Sequence, residues 1–139
     1  MRLFTILTLI VTLLYPKHLL VIGNIDFPKE KLTKEEIKAI FLGKHQFIAE
    51  KRLLVMNYKY NSTIRVCFEK SILEKSKHSL ERYWRKAYYQ GKHPPKVISS
   101  TKMLMLYLEK IYPSIGYIDE NQAVDIKFKT LFRVKCNID

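Results

Sequence analysis

The stretch Leu19-Leu20-Val21-Ile22-Gly23 has no polar side chain on either face that an extended chain would present. Side chains alternate across a strand, so a strand apolar on both faces must be covered on both. This strand therefore belongs inside a sheet sandwiched between other elements. Further strands are expected at Arg52-Leu53-Leu54-Val55-Met56, at Lys96-Val97-Ile98 and at Ile115-Gly116-Tyr117-Ile118. Residues 126–134 alternate in part, through Ile126, Phe128, Leu131, Phe132 and Val134, and read as a final strand.

Between these runs the apolar period changes to that of a helix. Thr33 caps a first helix, with Glu36 three residues on for a capping box and Leu32 placed to staple onto Ile37. Ile37, Ile40 and Phe41 form its stripe and Gly43 its stop. Asn61-Ser62-Thr63 opens a second helix with the stripe Ile64, Cys67, Phe68 and Ile72. A third begins near Ser79, with Leu80, Tyr83, Trp84, Ala87 and Tyr88 on one side and Gly91 at its end. Ser99 or Ser100 caps a fourth, whose Leu104, Tyr107, Leu108 and Ile111 are expected to face inward before Pro113 ends it. Strands alternating with helices predict an α/β domain.

The 139 residues allow one domain. The 25 Lys and Arg against 13 Asp and Glu give a net charge of +12. Such a field attracts polyanions: nucleic acid, anionic lipid, acidic polysaccharide or phosphate. No specific nucleic-acid motif accompanies it. The nearest thing to a cluster, Lys70, Lys75, Lys77, Arg82, Arg85 and Lys86, reads first as solvated helix surface.

Arg2 and the uncharged run at residues 3–14 (LFTILTLIVTLL) have the form of a signal peptide. The run is short against the roughly 20 residues of a membrane span. Tyr15-Pro16-Lys17-His18 lacks a small-x-small cleavage pattern, so residues 1–17 are expected to be a signal peptide or a retained N-terminal anchor. The domain proper is then 18–139, periplasmic or secreted, or held at the membrane by the uncleaved segment. Cys67 and Cys136 are too few for a disulfide scaffold and lack metal-ligand spacing. They leave two readings: one disulfide in an exported chain, or two buried thiols.

The chemistry-bearing residues gather at two helix starts. A helix N-terminus offers unpaired N–H groups and the positive end of its dipole to an anion. Asn61, Ser62 and Thr63 add side-chain donors there, and Lys59 or Arg65 can add charge. Ser99, Ser100 and Thr101 make a similar start on the fourth helix. In open α/β sheets both starts fall at the carboxyl ends of strands, where ligands collect. Simple capping is the commoner duty of these residue types. The four histidines are scattered, and no nucleophile elbow, P-loop or dinucleotide fingerprint occurs. Neither an enzyme nor a bound cofactor or metal is expected.

Three segments carry a family resemblance. Leu32-Thr33-Lys34-Glu35-Glu36-Ile37-Lys38-Ala39-Ile40-Phe41-Leu42-Gly43-Lys44 resembles the L-T/S-x-x-E/Q-L-x-x-I-F-x-G-K segment of phosphate-binding proteins of ABC importers. The second strand followed by Asn61-Ser62-Thr63 resembles their phosphate-contacting turn, and Ser114-Ile115-Gly116-Tyr117 their G-[SA]-I-G-Y strand. The likeness implies a single periplasmic-binding-protein-like α/β lobe. Its central sheet, mostly parallel or mixed, would have about five strands with helices on both faces. It also implies a small phosphate-like oxyanion near Ser62, and an envelope, transporter or sensor protein as partner. The sequence departs from the family in two ways. There is room for one lobe where full receptors have two. In the turn, Lys59 and Tyr60 stand near the acidic position and Thr63 stands where glycine is expected. The alternative is a basic envelope interaction protein that binds polyanions or a protein partner and has lost its small ligand.

Overall fold

The structure, a computed structural model, describes residues 17–123 and 127–136. The signal-like segment at 1–16 and Ile126 of the expected last strand lie outside the described residues. Strand β1 (His18–Asn24) lies inside the sheet, next to an edge strand. It pairs antiparallel with β6 (Ser114–Asp119) on one side and with β7 (Phe128–Lys135) on the other. Beyond β6 lie β4 (Leu54–Tyr58) and, at the edge, β5 (Lys96–Ile98), both running parallel to β6. The five-stranded order is β5-β4-β6-β1-β7, a mixed sheet. Leu19, Val21 and Ile22 are wholly buried, as an apolar strand with neighbours on all sides must be.

The two faces are covered differently. Successive residues of β6 point to opposite sides. Tyr117 points to the side of α1 (Lys34–Phe41) and α2 (Thr63–Phe68), stacked on the ring of Phe68, with Phe41 beyond it. Gly116 points to the side of α4 (Thr101–Lys110), which rides so close that a Cβ there would run into the Leu104 side chain. The missing Cβ at Gly116 gives the Leu104 side chain room against the sheet.

The helix ends follow local chemistry. Thr33 Oγ1 accepts the Glu36 N–H at 3.1 Å, and Gly43 ends α1 with φ at +74°. Helix α3 (Lys77–Tyr88) starts earlier than Ser79, because Ser76 caps it by accepting the Ser79 N–H. Its expected inward stripe is narrower than read. Leu80 and Ala87 are buried, Tyr83 donates its hydroxyl to the Leu42 carbonyl, and Tyr88 is 64% exposed. Ile111, expected inward, is an extended residue after α4 and largely exposed. Buried Asn24 closes that end of α4. Its Nδ2 donates to the Leu108 and Ile111 carbonyls, and its Oδ1 accepts the Ser114 N–H. Helix carbonyls left over at a buried end need such a donor.

Two features complete the fold. A small hairpin, β2 (Phe47–Ile48) and β3 (Lys51–Arg52), turns through Ala49 and Glu50, at φ of 49° and 65°. Cys67 of α2 and Cys136, just after β7, form a disulfide with Cα atoms 5.4 Å apart. Of the two readings of the cysteines, the bond is the one the structure holds.

Candidate functional site

The parallel strands β4, β5 and β6 all deliver their carboxyl ends to one rim of the sheet, at Tyr58, Ile98 and Asp119. Helices α2 and α4 start from that rim, a few residues after β4 and β5 respectively. Between their first turns lies a cavity of about 380 Å³, lined by Tyr58, Thr63, Ser99, Ser100, Thr101 and Asp119, with Ile64 and Gln122 beside them. The two helix starts picked out in the sequence therefore face one another across a common space.

The two starts are not equivalent. Ser100 is a working cap: its Oγ accepts the Met103 N–H at 3.1 Å. Ser62 holds the N-cap position of α2 without capping it. Its hydroxyl instead donates to the Lys59 carbonyl at 2.8 Å. The first N–H groups of α2 thus have no side-chain cap, and an external anion is one way to satisfy such donors. Thr101 Oγ1 donates to Gln122 Oε1 at 2.8 Å and lies 3.4 Å from the Tyr58 hydroxyl. Burial pushes the Tyr58 hydroxyl above the usual tyrosine range, which the Thr101 contact partly offsets. Asp119 caps the short 3-10 turn Glu120–Gln122 by accepting the Asn121 N–H at 3.0 Å.

Of the six candidate residues, Thr63, Ser99 and Ser100 line this cavity. Ser62 adjoins it through the chain. Asn61 lies instead in a separate depression with Tyr60 and Val66. Arg65 turns away from the cavity. Its Nε meets Glu69 at 2.7 Å and its Nη1 donates to the Tyr58 carbonyl at 2.8 Å, so it braces β4 against α2. Tyr58, Asp119 and Gln122 were not singled out in the sequence. Asp119 had a usable signal, since it follows Gly116-Tyr117-Ile118 directly at a strand's carboxyl end. Among the described residues no group of His, Cys, Asp and Glu is arranged to hold a metal ion.

The mixed sheet covered on both faces, with two helix starts opening on one rim cavity, has the fold of a single periplasmic-binding-protein-like lobe. Solved structures share the architecture. An ABC-type phosphate transport receptor from Vibrio cholerae superposes with a TM-score of 0.64 at 17% identity, over 84% of this chain and 47% of the receptor. A putative phosphate ABC transporter substrate-binding protein from Clostridium perfringens, solved with bound phosphate, gives 0.66 at 17% identity, over 84% and 46%. The chain spans about half the length of these receptors. No protein-family model matches the sequence, and no curated protein is similar enough to align with it.

Proposed function

We propose that this chain is an exported, solute-binding-protein-like domain that holds a small oxyanion of the phosphate class between the starts of α2 and α4. The carrying observation is the convergence of Thr63, Ser99, Ser100 and Thr101 on one cavity at the carboxyl ends of three parallel strands. The uncapped N–H groups of α2 supply a positive dipole end, and the hydroxyl side chains of Thr63, Ser99, Ser100 and Thr101 can add donors. The +12 charge recruits anions to the surface without fixing where they sit. The disulfide suits an oxidising compartment outside the cytosol. Held by this lobe alone, the anion stays wet on its open side and affinity is modest. Each charge-assisted hydrogen bond missing from the second lobe costs about 1.5–3 kcal/mol, or about one to two decades in dissociation constant.

Calorimetric titration with phosphate, at low and at physiological salt, tests the reading. Saturable single-site binding that weakens in Thr63→Ala supports it. Binding restricted to polyanions, and lost steeply with salt, replaces it with the basic interaction protein. Silence toward both leaves a lobe that serves a protein partner alone.

A further inference from the structure

A larger cavity than the one at the helix starts lies elsewhere. A cleft of about 630 Å³ lies between α3 and the β4–β5 edge of the sheet and shares no lining residue with the cavity at the helix starts. Its walls are aromatic and apolar, with Trp84 on one side, Tyr60 at the mouth, and Pro95 and Val97 of the edge on the other. Sites of this size, mostly apolar with a few placed polar groups, are where small organic molecules bind. Val97 and Tyr88 are more than half exposed, although their side chains have the character of a core.

Three polar features select the occupant. Asn57 is only 7% exposed and forms part of the lining; its Oδ1 accepts the Tyr117 hydroxyl, and its amide nitrogen has no partner among the described residues. Lys77 holds its ammonium 4.2 Å from the centre of the Tyr60 ring. Neither Lys77 nor Arg85 meets a carboxylate among the described residues, whereas Arg65 in the same lining is neutralised by Glu69. Glu81 brings one further carboxylate to the lining, so Lys77 and Arg85 leave the cleft with a surplus of one positive charge; with a buried amide donor and an aromatic slot, this fits a flat ring that carries a single negative charge. The geometry points to a second binding site here, for a small aromatic monoanion such as an aryl carboxylate or sulfonate. The ring lies against Trp84 and Tyr60, and the acid group meets Lys77, Arg85 and the Asn57 amide. This site is independent of the proposed oxyanion cavity.

Trp84 is the only tryptophan in the chain and lines this cleft, so its fluorescence responds to an occupant there, and the Lys77 and Arg85 substitutions fix the place. The probe is anilinonaphthalenesulfonate, titrated into the full chain beside its uncharged analogue phenylnaphthylamine. The expected result is saturable quenching of Trp84 at one probe per chain, unmoved by excess phosphate. The uncharged analogue and the Lys77→Ala/Arg85→Ala variant should each bind on the order of tenfold more weakly. Both substituted residues are exposed, and the uncharged probe asks the same question of the unaltered protein. Quenching that never saturates, equal affinity for the two probes, or displacement by phosphate overturns the proposal. So does a Trp84 signal that changes on dilution without probe, which would make the cleft an interface between two copies.

Discussion

The ring of Phe68 lies flat on that of Tyr117, with centroids 4.1 Å apart and planes inclined by 1°. Phe41 and Tyr58 surround the same phenol, whose hydroxyl is buried against Asn57. Desolvation raises the Tyr117 hydroxyl well above the ordinary 10.0, and burial raises Tyr58 as well. A raised folded-state value means the native protein keeps these protons longer than the unfolded chain does. The stability they carry is complete below pH 10.0 and drains away as pH climbs toward the folded-state values. Denaturation at alkaline pH, followed with tyrosinate absorbance, should show this fall. Tyr117→Phe should flatten it without abolishing it, because Tyr58 remains. At neutral pH that variant should lose about 1–3 kcal/mol, since Asn57 Oδ1 is left without its donor.

The Cys67–Cys136 bond closes a loop with a sequence separation of 69. Loop-closure entropy assigns such a crosslink about 4 kcal/mol. Reduction, or the Cys67→Ala/Cys136→Ala variant, should lower the melting midpoint by on the order of 15 °C. A calorimetric scan with and without reductant measures it. An unchanged midpoint would mean the bond constrains nothing that the sheet does not already hold.

Asp119 gives the proposed oxyanion cavity a chemical preference. A carboxylate beside an anion is repulsive unless the ligand carries a proton to donate. Hydrogen phosphate has one and sulfate at neutral pH has none. Phosphate should therefore bind at least about tenfold more tightly than sulfate, the worth of one charged hydrogen bond. Asp119→Asn should narrow that gap mainly by admitting sulfate. Paired titrations with the two anions decide the matter, and equal binding by the unaltered protein would exclude a discriminating role for Asp119.

Ala49 and Glu50 both occupy the left-handed region, which costs an L residue about 1–2 kcal/mol. A two-residue hairpin turn of this kind favours Asn-Gly. Replacing the pair, Ala49→Asn with Glu50→Gly, should stabilise the domain by about 1–2 kcal/mol, read as a higher denaturation midpoint in urea. A loss instead would show that Ala49 makes a packing contact worth more than the relieved backbone.

Much of the scaffold was legible because its signals are local. Thr33, Gly43 and Ser100 act where their chemistry places them, and the two-faced apolarity of β1 correctly demanded a covered sheet. Strand direction was not legible: side-chain alternation is the same for either polarity, so nothing in Leu19-Leu20-Val21-Ile22 announces that β1 opposes both its neighbours. The hairpin at Ala49-Glu50 was missed because its turn lacks the residues that favour its backbone. Arg65 could be placed on α2 but not aimed, since the carboxylate that claims it lies one turn further on. The helical stripe through Trp84 and Tyr88 was taken as core, and the sheet edge proves too short to cover it.

β1 meets Lys135 at one end of its ladder and Phe128 at the other, partners over a hundred positions later in the chain. Its second neighbour, β6, is also late. This interior strand therefore precedes both its partners in the chain and is the last to be fully paired. One flank waits for residues 114–119 and the other for residues near 135, and such long-range closure is slow. A chain of this design stays open while it is being synthesised. Under the export proposed above, such a delay would keep the chain fit for passage through a translocation channel until the sheet can form.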